Sequence, residues 1–332
     1  MCLLVPPIQR SLSGSFPLNP PGVFDTATLP IALWLSLAIL AWCAEQLGAR
    51  TTLLLCLPVP AVFDLVSRGG LGNVWKYAIA VWVVAGVLTY IDGKRRVTFL
   101  LGVVAIVAVS AAFDTRNVIV MVMLSAAVGL VSTLRGSRSR RFVIGALVGC
   151  AILIAALQLA ISGALGAGIQ ITTKQQMSSG PISLLRDARP ESAGNLSLIA
   201  ENPLRVPDSS GVSSREAAVI RSSFSGVDRD PFSQYVTVNV ISRAEFHSVA
   251  VDAWFHMGLA GVISSIALAS LAIWMLASLV RNPYPLAVLA SFGALRILWD
   301  LLFSPVSDTR FWPVYLLAFW AVTRLFPSRK GL

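Results

Sequence analysis

Apolar residues along this chain come in unbroken runs, not in the stripes three and four apart that mark the surface helices of a soluble domain. Several runs reach the roughly 17–25 residues that a helix needs to cross a hydrocarbon core about 30 Å thick. Nine spans are read: 30–48, 51–67, 74–91, 97–113, 117–134, 142–165, 250–280, 284–303 and 310–326. The seventh is longer than a bilayer requires, so its first two turns are expected to project above the membrane. The pattern predicts an all-α, polytopic integral membrane protein of nine transmembrane helices with one large outer loop.

The polar stretches set the organisation. Residues 1–29 form a polar, proline-rich lead-in, expected outside, without the basic and apolar regions of a signal peptide. The first span is then expected to act as its own insertion signal. Residues 30–165 carry helices one to six, 166–246 the loop, 247–326 helices seven to nine, and 327–332 a basic tail. The loop holds eight basic and eight acidic residues. Two apolar-periodic pieces in it, 183–200 and 213–224, are expected to be short helices lying over the membrane. A loop of this length inside a compact protein is usually functional or disordered. No internal repeat or low-complexity tract is present.

Composition agrees with lipid as the main solvent. Of 332 residues 56% are hydrophobic and only 13% charged, against roughly 25% charged in soluble domains. The net charge of +10 sits mainly in short clusters between apolar runs, the pattern of cytoplasmic membrane loops and not of a nucleic-acid surface. Arg50, the Lys94–Arg96 turn, the Arg135–Arg141 turn, Arg281 and the Arg324–Lys330 tail fall on one face when the spans are counted. The positive-inside rule makes that face cytoplasmic, with the C-terminus on it, and puts the N-terminus and 166–246 outside. Cys2, Cys43, Cys56 and Cys150 show neither disulfide nor zinc spacing and read as buried small hydrophobes.

Few polar residues stand where chemistry is possible. Arg116 lies between spans four and five, as a snorkelling residue at a helix edge, a local partner for Asp114, or a fixed cation aimed at an anionic head group. Arg186 precedes Glu201-Asn202-Pro203-Leu204 by a helix length and is either a solvated loop charge or a second such cation. His247 opens the seventh span and is either a helix-terminal polar residue or a general base. His256 lies about half a turn round the helix from His247, so this helix alone cannot offer both to one metal. Asp252 and His256 share a face, as do Arg296 and Asp300, and both pairs read as structural contacts before relays. Gly258, Gly261, Ser264 and Ser265 form a small-residue packing patch. Arg221 and Arg243 are loop arginines available to a phosphate site. Neither a metal set nor a phosphate-binding glycine loop appears.

Three segments in this order resemble the O-antigen ligase and O-antigen polymerase superfamily, also called the lipid-linked oligosaccharide ligases. The first is the turn Asp114-Thr115-Arg116-Asn117 with the helix Val118–Leu134, followed by the basic turn Arg138–Arg141 and the helix Phe142–Leu165. The second is an outer loop in which Arg186 precedes the Asn-Pro-Leu of 202–204. The third is His247-Ser248 and a helix closing on Gly258-Leu259-Ala260-Gly261. The family's Gly-x-Gly after Asn-Pro-Leu is replaced by Arg205-Val206-Pro207, and its Glu two residues before the first helix Gly by His256.

The resemblance implies metal-independent, cofactor-free glycosyl transfer at the outer face of the bacterial inner membrane. The donor it implies is a glycan on undecaprenyl diphosphate, and the acceptor a hydroxyl of a lipid or glycan. Arg116 and Arg186 would hold the diphosphate, His247 would be the base, and Arg221 or Arg243 a further contact. Two other classes stay open: an exporter or flippase of lipid-linked sugars, and a non-catalytic subunit of a surface-polysaccharide machine.

Overall fold

The computed structural model describes residues 23–68, 75, 79–92, 95–113, 115–132, 137–164, 170–171, 173–174, 191–205, 212–223, 241, 246, 248–281, 286–304 and 312–325. Every regular element among them is helical. In chain order these are α1 Val23–Leu47, α2 Ala49–Cys56, α3 Pro58–Arg68, α4 Ala80–Ile91, α5 Arg96–Ala112, α6 Arg116–Ser132, α7 Arg138–Ser162, α8 Glu191–Glu201, α9 Ser214–Ser223, α10 Val249–Met257, α11 Leu259–Arg281, α12 Ala287–Phe303 and α13 Trp312–Leu325.

Each of the nine apolar runs holds helix, and two of them are interrupted. The run 51–67 is bent where α2 meets α3, because Pro58 and Pro60 lack the N–H groups that a straight helix needs. The bend is mild: Leu57 N–H still donates to Leu53 O, and Ala61 N–H to Leu57 O. The expected long helix 250–280 is two helices. Gly258, at φ 59° and ψ −137°, ends α10 in a conformation that disfavours a Cβ. At Gly261 a Cβ would stand 2.0 Å from the Ala253 carbonyl oxygen, so the backbones of α10 and α11 meet there. The patch read as packing is therefore an elbow, and the turns expected to project are a separate element.

Among the described residues three segments are long and apolar enough to cross a membrane: Ala49–Val66, Val143–Ser162 and Leu259–Val280. The outward faces agree with this. Leu100 and Leu101 on α5, Leu147 and Ile154 on α7, and Ile263 and Trp274 on α11 are exposed, the surface of a chain that associates with a membrane. Cys150 is exposed on α7 and so is not a core residue, while Cys43 and Cys56 are half-buried; all three are free thiols.

α12 is the central helix. Its first eight residues, Ala287 to Ala294, are all buried, and α4, α6, α10, α11 and α13 pack on it. Glycines set the spacing. A Cβ on Gly293 would lie 2.5 Å from Tyr315 Cβ of α13, and one on Gly129 of α6 would lie 2.5 Å from Val288 Cγ2. The second contact also sets direction: the late part of α6 faces the early part of α12, so the two helices run antiparallel.

The basic ends of the helices adjoin. Arg50 donates to the carbonyls of Tyr90 and, at 3.0 Å, Asp92, just before the Lys94–Arg96 turn. Gly145 lies beside both Val131, near the end of α6, and Val280, near the end of α11. Since α5 and α6 pack as a hairpin, these two groups share one end of the bundle.

Candidate functional site

The opposite end carries the polar features. Thr115, buried in the α5–α6 turn, donates both its backbone N–H and its hydroxyl to Ser110 O at 2.9 Å. This double bond closes the turn and places Arg116 as the first residue of α6. Trp75 stacks on Phe113 of the same turn, with ring centroids 6.0 Å apart. Arg116 is half-buried, and its guanidinium donates to the Thr173 hydroxyl at 3.2 Å. Thr173 belongs to the stretch read as the loop.

The antiparallel packing also fixes the height of Arg116. Thirteen residues separate Gly129 from Arg116, and thirteen separate Val288 from Leu301. At a rise of about 1.5 Å per residue both distances are about 20 Å, so Arg116 and Leu301 stand at one level on neighbouring helices. Leu301 is where α10 is tied down: the Ser248 hydroxyl donates to the Leu301 carbonyl at 2.7 Å. Ser248 is also the N-cap of α10, accepting from Val251 N–H at 3.3 Å. Asp252 accepts from Phe246 N–H at 2.8 Å, and Asn195 of α8 donates its side-chain amide to Phe246 O at 3.0 Å. Both chain neighbours of His247 are thus buried and held, one by α8 and α10, the other by α12.

α8 and α9 form a helical hairpin against α10. Leu198, Ile220, Phe246, Val251, Trp254 and Phe255 make its core. Ser213 and Glu216 close a capping box at the start of α9: Glu216 N–H donates to Ser213 Oγ at 3.3 Å, and Ser213 N–H to the Glu216 carboxylate at 2.8 Å. Arg205 is buried beneath. It donates Nε–H to Glu216 at 2.8 Å and an amino N–H to Phe255 O at 2.6 Å, and its guanidinium lies 3.6 Å over the Phe255 ring. Burial pushes the Glu216 carboxyl up, but the bonds from Arg205 and Ser213 and the arginine charge outweigh it and hold the group below the usual carboxylate range. Trp254 donates to Pro203 O at 3.2 Å, and Arg215 pairs with Glu201 at 2.7 Å on the surface.

Of the residues singled out from sequence, Arg116 is placed as described, and Arg221 lies exposed in the last turn of α9. Arg186, His247 and Arg243 lie outside the described residues, as does Asp114. The helix expected over 183–200 is described from Glu191 and does end at Asn202-Pro203. His256 is half-buried, its ring edge against Phe255 at 5.2 Å, and Asp252 accepts from Phe246 N–H. Arg296 and Asp300 form the expected buried pair at 2.9 Å, and Trp312 donates to Asp300 at 3.1 Å. Among the described residues no three His, Cys, Asp or Glu side chains gather.

Two residues escaped the sequence reading. Asp64, buried on α3, accepts from Trp82 Nε1 at 2.7 Å. Its signal was available: an acid inside the apolar run Val62-Phe63-Asp64-Leu65-Val66. Arg205 had a weaker signal, since a loop arginine gives no sign of its burial. An apolar groove of about 390 Å³ between α5, α6 and α7, lined by Val103, Met123, Leu130 and Ile144 among others, has no polar lining residue and belongs to the packing of the bundle. The chain matches no protein-family model, no curated protein and no solved structure.

Proposed function

We propose that the chain is a nine-span inner-membrane glycosyltransferase of the lipid-linked oligosaccharide ligase type, with its basic helix ends and C-terminus cytoplasmic. One observation carries the reading. Arg116 stands level with Leu301, and Leu301 anchors Ser248, the neighbour of His247. This supports a site at the end of the bundle away from the basic helix ends, the end where the 191–223 hairpin packs on α10. The shared end of Arg50, the Lys94–Arg96 turn, the Arg135–Arg141 turn and Arg281 supports the orientation.

The mechanism follows from the chemistry of the groups. Arg116, with Arg186, holds the diphosphate of an undecaprenyl-linked glycan. As the anomeric C–O bond breaks, negative charge grows on the leaving diphosphate, and fixed guanidinium groups stabilise that state more than the ground state. Arginine keeps its charge at every relevant pH. His247 takes the proton of the acceptor hydroxyl, whose oxygen attacks the anomeric carbon directly and inverts it. Arg221 or Arg243 supplies a further phosphate contact.

The test uses purified chain in nanodiscs with a radiolabelled, undecaprenyl-diphosphate-linked glycan, with and without an acceptor. Transfer of label to acceptor or growth of the glycan is expected. Movement of the intact donor between leaflets, with no new glycosidic bond, identifies an exporter. Neither outcome leaves a non-catalytic subunit and ends the transferase reading.

A further inference from the structure

A guanidinium is seldom removed from water without several partners. Arg205 is 6% exposed, and its partners include the Glu216 carboxylate, the Phe255 carbonyl and the Phe255 ring. Phe255 O belongs to the last turn of α10, where carbonyls lack helical partners and the negative end of the macrodipole lies. Arg205 thus satisfies the end of α10 while holding α9 through Glu216. At the other end of α10, Asn195 of α8 holds Phe246 O, and between them Trp254 reaches Pro203 O. The hairpin grips α10 at both ends, and the grip at its start is on the residue that precedes His247.

We infer that Arg205 is a positioning residue for the transfer reaction: it clamps the α8–α9 hairpin on α10 and, through Asn195, fixes Phe246, the residue that precedes His247. The inference rests on the functional reading above. Arg205 is turned toward Glu216 and Phe255, so it acts through α10 and not by touching substrate. Lysine in its place keeps a charge for Glu216 but lacks the fork that reaches Phe255 O at the same time and the flat face that stacks on the ring.

The full chain in nanodiscs is compared with Arg205→Lys and Arg205→Met by hydrogen–deuterium exchange and by steady-state transfer. The Met variant is expected to exchange faster over 191–205 and 246–257 and as wild type over α11 to α13. Its kcat is expected to fall about 100-fold, the scale for a displacement of about 1 Å. The donor KM is expected to stay within about threefold, since uniform binding is untouched. Arg205→Lys is expected between the two on both readouts and carries the comparison if the Met variant does not fold. Wild-type protection in the variants removes the clamp. A loosened hairpin with wild-type kcat, or a raised KM with unchanged kcat, removes the positioning role. A wild-type chain that transfers nothing overturns the functional reading, and the exchange data then still decide the clamp.

Discussion

The Ser248 hydroxyl reaches across from the start of α10 to the Leu301 carbonyl near the end of α12, at 2.7 Å. The same oxygen accepts from Val251 N–H and so caps α10. One side chain thereby couples helix initiation to helix docking. Ser248→Ala removes both bonds and is expected to cost about 1–2 kcal/mol, the usual size for a lost N-cap or buried hydrogen bond. Ser248→Thr keeps the hydroxyl and is expected to retain most of that. Thermal unfolding in detergent, followed by tryptophan fluorescence, checks the order; equal midpoints for the Ala variant and wild type would contradict it.

Arg116, a proposed phosphate ligand at the start of α6, donates to a neutral hydroxyl, that of Thr173, at 3.2 Å. Arg116→Ala is expected to lower transfer by about 100-fold or more, as for other lost electrostatic stabilisers of a transition state. Arg116→Lys is expected to lose most activity too, because an ammonium lacks the planar fork. Initial rates at matched protein level decide this, and a fully active Lys variant would remove the bidentate contact.

Three glycines rank themselves by what a methyl group would strike. At Gly261 it meets backbone, the Ala253 carbonyl, at 2.0 Å. At Gly293 it meets Tyr315 Cβ and Cγ, atoms that move only with α13. At Gly129 it meets Val288 Cγ2, the tip of a side chain. Alanine is expected to be worst at Gly261, intermediate at Gly293 at about 1–3 kcal/mol, and mildest at Gly129. Unfolding midpoints of the three variants give the ranking directly.

Much of the architecture is legible because lipid imposes a simple rule: apolar runs of sufficient length must be helix, since no other partner for backbone groups exists in hydrocarbon. Helix is found in each of the nine apolar runs, and three segments among the described residues are long and apolar enough to cross a membrane. The rule does not locate breaks, which depend on local backbone chemistry. Pro58 bends one run and Gly258 folds another back on itself. The pairing of Arg296 with Asp300 is readable from i,i+4 spacing alone. The clamp of Arg205 is not, because Glu216 and Phe255 are distant in sequence and only the folded hairpin brings them to it. The capping box Ser213-Ser214-Arg215-Glu216 is a local signature of the start of α9, but it does not reveal that its Glu also anchors a buried arginine.

The Arg296–Asp300 pair lies one turn below the end of α12, with Asp300 also bonded to Trp312 of α13. Removing one charge strands the other in an apolar bundle, at a typical cost of about 3–5 kcal/mol, whereas replacing both with apolar residues is often neutral. Asp300→Leu alone is expected to be far less stable than the double variant Arg296→Met/Asp300→Leu. A double variant as unstable as the single one would mean that the pair supports the fold by more than mutual neutralisation.

Acid should open the hairpin. Despite the burial that pushes it up, Glu216 is held below the usual carboxylate range by Arg205 and Ser213. A carboxylate whose folded pKa is depressed stabilises the folded state fully above its unfolded value and loses that contribution as pH falls through the folded one. The link to Arg205 is therefore expected to be intact at neutral pH and to be lost as pH falls through and below the ordinary carboxylate range. When it fails, the Phe255 carbonyl and ring still hold Arg205, and α9 keeps half of its capping box. Glu216→Gln, which keeps shape but cannot ionise, is expected to loosen 191–223 at neutral pH and to remove this acid step. Limited proteolysis of the full chain across pH 7 to about 4, with an acid-tolerant protease, reads the change. A hairpin in wild type that stays protected below the carboxylate range would show that the apolar core of Leu198, Ile220 and Phe255 holds it without the Glu216–Arg205 link.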